Sequence, residues 1–149
     1  MKIIALQGRA NCGKTTVISK LYHKLCALYE RKSYISSNQD GDFTATFNIN
    51  GKIIGVISLG DRESDLFEPF SFLESYNCEL CIICCHKKRV KGGSKLYVER
   101  KSKEYGTKII WYSKAYIEQW NTVYNAGKEI DKINDIQADM LLKEILLQI

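Results

Sequence analysis

The sequence lacks any hydrophobic run that approaches the length of a membrane span, which argues against a transmembrane protein. It also lacks a secretory signal pattern, because Gly8 and Arg9 interrupt the apolar start of the chain. Internal repeats and low-complexity segments are absent as well, which excludes repeat architectures and long disordered tracts. These absences predict a cytoplasmic protein that does not associate with membranes and folds as a single domain over residues 1–149.

Cysteine, in contrast, is well represented, with six residues, four of which fall between Cys78 and Cys85. A reducing cytoplasm argues against a disulfide framework. A zinc site is disfavoured too, because the intervening residues are apolar and indicate a buried strand with alternating faces. We expect Cys78 and Cys84 on one face and Cys81 and Cys85 on the other, so the four thiols cannot surround one ion.

Apolar strands alternate with amphipathic helices along the chain. Strands are predicted over 2–6, 33–37, 43–49, 52–59, 79–85 and 107–112, and helices over 17–30, 64–75, 96–105, 115–126 and 128–149. Asn50-Gly51 predicts a β-hairpin, and Gly127 is expected to separate the last two helices. The pattern predicts an α/β fold, a three-layer α/β/α sandwich with a mostly parallel five-stranded sheet plus an antiparallel hairpin strand.

The last predicted helix carries an apolar stripe that is expected to cover the sheet, a partner surface being the alternative. The stripe consists of Ile130, Ile133, Ile136, Met140, Leu141, Ile145 and Leu146.

The segment from Gly8 to Thr15 reads GRANCGKT and fits the pattern G-x-x-x-x-G-K-[ST]. An apolar strand precedes it and a helical pattern follows, which is the context that makes this pattern a phosphate-binding loop. Its glycines let the backbone wrap round phosphate oxygens, and its amides meet the positive end of the helix. Lys14 is expected to reach the β- and γ-phosphates, and the Thr15 hydroxyl to ligate Mg²⁺.

On this motif and its context, the chain resembles the P-loop NTPase superfamily, in particular its small kinase-like and GTPase-like branch. The resemblance implies a P-loop NTPase fold and the binding of a nucleoside triphosphate with Mg²⁺. The nucleotide-binding residues that it implies are Gly8, Arg9, Ala10, Asn11, Cys12, Gly13, Lys14, Thr15 and Thr16. It does not say what happens to the γ-phosphate.

Asp61 follows the apolar segment IIGVISLG. In the superfamily that the chain resembles, a carboxylate at the end of a central strand lies beside the phosphate loop and holds Mg²⁺. The resemblance therefore implies Lys14 and Asp61 as catalytic residues, and Thr15 and Asp61 as metal ligands. A helix N-cap is the alternative role for Asp61.

Departures from GTP-binding relatives favour ATP. Where those proteins read guanine with N-K-x-D, this chain has His86-Lys87-Lys88-Arg89, without the carboxylate. The pattern D-x-x-G is missing, because Arg62-Glu63-Ser64 follows Asp61, and Ser113-Lys114-Ala115 only faintly resembles the guanine-side S-A-K. Motor-like ATPases place Glu directly after the strand-end Asp, whereas Glu63 comes one residue later, as a water activator or a surface charge.

Basic residues are concentrated between Lys87 and Lys103, where eight cations are opposed only by Glu99. The first part of this segment resembles the mobile basic lid of small kinases, with a solvated surface loop as the alternative. Asp40 and Asp42 follow the second predicted strand. Either carboxylate would orient an acceptor hydroxyl as a general base, or simply form a turn.

We predict an ATP-binding enzyme that performs Mg²⁺-dependent phosphoryl transfer, kinase-like, to an unidentified small-molecule acceptor. A regulatory ATPase or nucleotide switch that acts on a protein or nucleic-acid partner is the alternative. A third possibility is a module that binds nucleic-acid phosphates through Lys87–Lys103 and uses nucleotide only structurally.

Overall fold

The computed structural model describes residues 1–37, 41–115 and 126–149. Within these residues the chain forms a mixed six-stranded β-sheet and four α-helices. The strands are β1 (Lys2–Gly8), β2 (Glu30–Ser36), β3 (Phe43–Ile49), β4 (Lys52–Ile57), β5 (Leu80–His86) and β6 (Ile109–Ser113). The helices are α1 (Lys14–Leu28), α2 (Phe67–Ser75), α3 (Ser94–Glu104) and α4 (Ala126–Gln148), and a short 3₁₀ helix (Glu63–Asp65) precedes α2.

The strands lie in the order β2-β3-β4-β5-β1-β6. β4, β5, β1 and β6 pair in parallel, whereas β3 is antiparallel to both β2 and β4. The predicted α/β class and the antiparallel hairpin strand are thus confirmed. Because β1, β4, β5 and β6 run in one direction, their carboxyl ends meet at the same edge of the sheet.

The β3–β4 hairpin turns at Asn50 and Gly51, as the sequence predicts. Ile49 pairs with Lys52 across the turn, so the loop has two residues. Asn50 has φ 53° and Gly51 has φ 82°. Two successive left-handed residues are what a type I′ turn requires, and this turn matches the twist of the two strands.

Helices cover both faces of the sheet. α1 and α4 share one apolar cluster with the sheet, and α2 and α3 share the other. β1 shows how one strand serves both: Ile4 and Leu6 belong to the first cluster, and Ile3 and Ala5 to the second. This two-residue alternation buries both faces of the inner strands, which explains their nearly continuous apolar sequence.

The cysteines of β5 divide between these clusters differently from the prediction. Cys84 lies on the face covered by α1 and α4, whereas Cys78, Cys81 and Cys85 lie on the other. The expectation that Cys78 and Cys84 share a face was wrong, because β5 begins at Leu80 and Cys78 does not follow its alternation. Burial raises the pKa of Cys78 and of Cys85 to about 12, so these thiols stay protonated.

Two boundaries before β5 also differ. The predicted first helix extends through Glu30, but α1 ends at Leu28 and Glu30 begins β2. Leu28 is 60% exposed, so the apolar face of α1 stops at Leu25.

Pro69 lies in the first turn of α2, where a missing N–H costs no helical hydrogen bond.

α4 packs on α1 and the sheet through only part of the predicted stripe. Ala138, Leu141 and Ile145 are buried against α1 and the sheet, whereas Ile136 and Met140 are 58% and 46% exposed. Ile130 and Leu146 are exposed as well. The expectation that the whole stripe covers the sheet was therefore wrong.

Ion pairs between α1 and α4 accompany this orientation of α4. Lys20 of α1 pairs with Asp131 at 2.8 Å, and Lys24 pairs with Asp135 and Asp139, each at 3.0 Å. These acids flank the buried positions of α4, so the orientation in which the pairs form leaves part of the apolar stripe exposed.

Gly127 lies within α4 and does not separate two helices. The helix predicted over 115–126 falls mainly on residues 116–125, outside the described part of the chain. Within that described part, no helix has the length and apolarity that crossing a bilayer requires.

Candidate functional site

The loop between β1 and α1 is tightly folded and rich in unpaired amides. Asn11 has φ 57° and Gly13 has φ 95°, so both adopt left-handed backbone. A Cβ atom on Gly8 would lie 2.6 Å from Cys12 Sγ, which shows how closely the loop folds over the strand end. The amides from Ala10 to Gly13 have no acceptor among the described residues. Such amides at the start of a 15-residue helix form an anion-binding concavity.

Lys14, the first residue of α1, folds its side chain back towards this loop and is only 6% exposed. Its Nζ donates to the carbonyl oxygens of Gly8 at 3.1 Å and Arg9 at 2.7 Å. It also lies 3.4 Å from Asp61 Oδ1. The ammonium group is therefore held beside the unpaired amides by two neutral carbonyls and one carboxylate.

Asp61 reaches Lys14 although β5 lies between β4 and β1 in the sheet. The residues after β4 run across the carboxyl end of β5, and Gly60 makes this possible. A Cβ atom on Gly60 would lie 1.7 Å from the carbonyl oxygen of Cys84. Asp61 remains about half exposed, so its carboxylate is accessible to a ligand.

A chain of hydrogen bonds brings Asp42 into the same site. Thr15 Oγ1 donates to the Ser58 carbonyl oxygen at 3.4 Å. Ser58 Oγ donates to Asp42 Oδ1 at 3.1 Å and accepts from the Phe43 amide at 2.8 Å. Of the two predicted acceptor carboxylates, Asp42 thus lies at the site, whereas Asp40 lies outside the described residues.

These groups line a cavity of about 350 Å³, which we call the phosphate-side cavity. Its lining comprises Asn11, Gly13, Lys14, Thr15, Thr16, Asp42, Ser58, Leu59, Gly60, Asp61, Asp65 and Cys84. The Thr15 hydroxyl and the Asp61 carboxylate are the hard oxygen donors that Mg²⁺ prefers. No three His, Cys, Asp or Glu side chains of the described residues are grouped for a metal ion. Thr15 and Asp61 therefore fit Mg²⁺ as two of its ligands, with phosphate and water oxygens completing the coordination shell.

A second cavity of about 480 Å³ lies on the β6 side of the loop, and we call it the Lys114 cavity. It is lined by Arg9, Ala10, Asn11, Cys12, Gly13, Thr16, Lys114, Ile130 and Asn134. Lys114 is 6% exposed, and burial lowers its pKa. Asn134 is buried, and its Oδ1 has no hydrogen-bond partner among the described residues. Sequence reasoning missed Asn134, because one Asn in an amphipathic helix carries no local signal.

Half of the eight cations between Lys87 and Lys103, the basic segment, are engaged in contacts within the protein. Its ion pairs are Arg89–Glu99 at 2.8 Å, Arg100–Glu63 at 3.3 Å and Lys101–Glu74 at 2.8 Å. Lys95 Nζ donates to Gln7 Oε1 at 2.8 Å. Glu63, for which water activation was one prediction, is therefore paired with Arg100 of α3. No basic residue of this segment lines the phosphate-side cavity.

The loop between β5 and α3 is fastened to the segment that carries Asp61. Arg62 and Gly93 form an isolated antiparallel bridge. The Glu63 amide donates to the Gly92 carbonyl oxygen at 3.0 Å, and the Ser94 amide donates to that of Asp61 at 3.4 Å. A displacement of Asp61 would therefore also move the loop between β5 and α3, which carries Lys87, Lys88, Arg89 and Lys91 and is called the basic loop below.

No protein-family model, curated protein or solved structure matches this chain. The resemblance to P-loop NTPases remains a prediction, and the functional argument depends on the geometry and chemistry of the site itself.

Proposed function

We propose that this protein has a P-loop nucleotide-binding fold, binds ATP with Mg²⁺ and transfers the γ-phosphoryl group to a small-molecule acceptor. The observation that carries the proposal is the convergence of unpaired loop amides with Lys14 and Asp61 at the start of α1. These amides have no acceptor in the described part of the chain and lie at the positive end of α1, so an anionic ligand is the partner that would satisfy several at once.

The phosphate chain would replace weaker partners of Lys14. Its ammonium group now donates to the carbonyl oxygens of Gly8 and Arg9. Phosphate oxygens carry negative charge, whereas these carbonyl oxygens are neutral, so phosphate oxygens would compete well for the Lys14 ammonium group. Thr15 and Asp61 would hold Mg²⁺, which when bound neutralises charge on the phosphates.

The nucleoside would lie in the Lys114 cavity, which borders the same loop. No Asp or Glu lines this cavity among the described residues. Guanine is read best by a carboxylate that accepts from its two neighbouring donors, whereas a carboxamide pairs well with N6 and N7 of adenine. Asn134 offers such a carboxamide, and therefore supports ATP over GTP.

A nucleotide switch is the second candidate, favoured by the tether between Asp61 and the basic loop. If nucleotide or Mg²⁺ moves Asp61, the bridge from Arg62 to Gly93 would carry that movement to the surface cations. Turnover separates the two candidates: a kinase forms ADP rapidly only with a small acceptor present, whereas a switch responds to a macromolecule.

Thermal unfolding with ATP, GTP and ADP, each with and without Mg²⁺, tests nucleotide binding. A ligand at about 100 times its Kd stabilises the folded state by about 2.7 kcal/mol. For a domain of this size, that raises Tm by roughly 5–10 °C. We expect the largest shift with ATP and Mg²⁺, and none of it in Lys14→Met.

Lys20→Met is the matched control, because Lys20 lies on the same helix and pairs with Asp131 but lines neither cavity. This variant is expected to keep the full ATP shift. The absence of a shift with every nucleotide at millimolar concentration would contradict the proposal, as would an equal shift in the wild type and Lys14→Met.

A further inference from the structure

A groove leads away from the phosphate-side cavity along α2. The phosphate-side cavity shares Leu59 and Asp65 with a neighbouring cavity of about 200 Å³. That cavity in turn shares Ser37, Glu68 and Pro69 with an outer one of about 420 Å³ between α2 and the edge of the sheet. We call the last two together the α2 groove. The groove is large enough for a small metabolite and opens directly onto the proposed phosphoryl donor.

The charge of the α2 groove restricts what it can bind. Asp65 and Glu68 line it, and no Lys or Arg of the described residues does. A phosphate ester or a carboxylate would be repelled here, because like charges without a compensating cation are unfavourable. An amine or a neutral hydroxyl would be accepted.

An unpaired hydroxyl points to a polar ligand in the outer part of the groove. Thr44 lies on β3 and is 2% exposed, and its Oγ1 has no hydrogen-bond partner among the described residues. It lines the outer cavity together with Ser36, Ser71 and the apolar ring of Phe72. A buried hydroxyl without a partner is unfavourable, and a ligand donor or acceptor would relieve that cost.

We propose that the α2 groove binds the phosphoryl acceptor, and that this acceptor is an uncharged or cationic alcohol such as a nucleoside or an amino sugar. The inference rests on the proposed function. The acceptor hydroxyl oxygen attacks the γ-phosphorus, the new O–P bond forms, and the bond to the bridging oxygen breaks with its electron pair going to ADP.

Asp65 is placed to receive the hydroxyl proton, because it lines both the phosphate-side cavity and the groove. Its Oδ2 accepts from the Arg62 amide at 3.1 Å, which leaves Oδ1 for the acceptor.

Matched pairs of compounds test the proposal. Transfer of radiolabelled γ-phosphate from ATP is measured with uridine against uridine monophosphate, and with glucosamine against glucosamine 6-phosphate. We expect an unphosphorylated member to accept label at least tenfold faster than water does, and its phosphate ester to be at least tenfold poorer. In Glu68→Lys, kcat/KM for the accepted compound should fall at least tenfold while ATP binding is unchanged. Glu79→Lys, just before β5 at the opposite end of the sheet, adds the same charge away from the groove and should have no effect.

Thr44→Val gives a second, independent readout. Replacing an unpaired hydroxyl with a methyl group of the same shape should leave the free protein equally or more stable, yet raise KM for the acceptor severalfold. If the Thr44 hydroxyl had only a structural role, Thr44→Val would not combine unchanged or higher stability with a higher KM for the acceptor.

Preference for a phosphate ester would overturn the proposal, and so would label that reaches only water with every compound while Lys14-dependent ATP binding persists. If ATP does not bind at all, the proposed function itself fails. The groove is then judged by thermal stabilisation with uridine and glucosamine alone. A stabilisation that Glu68→Lys abolishes would support the groove, and no stabilisation would overturn it.

Discussion

Single residues at this site owe their identity to close backbone contacts. Gly60 is the clearest case, since a Cβ atom there would overlap the carbonyl oxygen of Cys84 at 1.7 Å. The backbone of β5 cannot shift away from such a Cβ atom, because Cys84 and its neighbours are packed in the core on both faces of the sheet. Glycine at position 60 therefore allows the chain to cross β5 and bring Asp61 to Lys14.

Gly60→Ala is expected to destabilise the protein by at least about 3 kcal/mol, at the upper end of overpacking changes. Urea unfolding measures this change. Gly51→Ala is the control, because nothing lies within 4 Å of its added Cβ and only the left-handed backbone penalty of about 1 kcal/mol applies. Equal losses in the two variants would show that the crossing at Gly60 tolerates a side chain.

The same contact explains what the sequence could predict about the site. GRANCGKT and its flanking pattern predict the loop and Lys14 from local rules alone. The proximity of Asp61 to Lys14 depends on the path across β5, which no local pattern encodes. Thr44 and Asn134 carry no sequence signal either, because their missing hydrogen-bond partners result from tertiary packing.

At the scale of elements, a hydrogen bond fastens α4 to the edge strand β6. Tyr112 Oη donates to Glu144 Oε2 at 2.7 Å. This bond lowers the pKa of Glu144 and raises that of Tyr112 to about 12. Because the folded-state pKa of Glu144 is depressed, its contribution to stability is present above the unfolded value of 4.5 and lost as pH falls through the folded value. The Tyr112 contribution is full below pH 10 and lost as pH rises through about 12.

Tyr112→Phe is expected to lower the free energy of unfolding by about 1 kcal/mol at pH 7, since the bond is only half-buried. The difference from the wild type should shrink when pH is lowered from about 5 to 3. Denaturant unfolding across this range measures it. Tyr29→Phe is the control, because the Tyr29 hydroxyl has no hydrogen bond among the described residues. A difference that stays constant with pH would show that Tyr112 acts only through packing.

Elements were predicted best where short-range chemistry determines them. The β3 bounds and the Asn50-Gly51 turn follow from alternation and from the left-handed backbone that a two-residue hairpin needs. Which side of α4 is buried could not be predicted in this way. Its apolar residues exceed one face, and the ion pairs of Lys20 and Lys24 with acids on α4 accompany the choice of buried side.

At the scale of the whole molecule, the net charge of +5 overstates the capacity to bind nucleic acid. Three of the eight cations between Lys87 and Lys103 form ion pairs, and Lys95 is hydrogen-bonded to Gln7. The remaining four are Lys87, Lys88, Lys91 and Lys103, all exposed and without an ion pair to a described residue. A phosphate backbone would thus meet four cations and not eight.

The salt dependence of DNA binding measures this number. The slope of log K against log salt concentration is about −0.9 for each phosphate neutralised, so four cations give about −3.6 and eight give about −7. We expect fluorescence anisotropy with a labelled duplex to show weak binding and a slope no steeper than about −3.6. Lys88→Gln with Lys103→Gln should reduce the slope by about 1.8, whereas Lys128→Gln on α4 should leave it unchanged. A slope near −7 would mean that the ion pairs open on binding, and would favour the nucleic-acid module over the kinase.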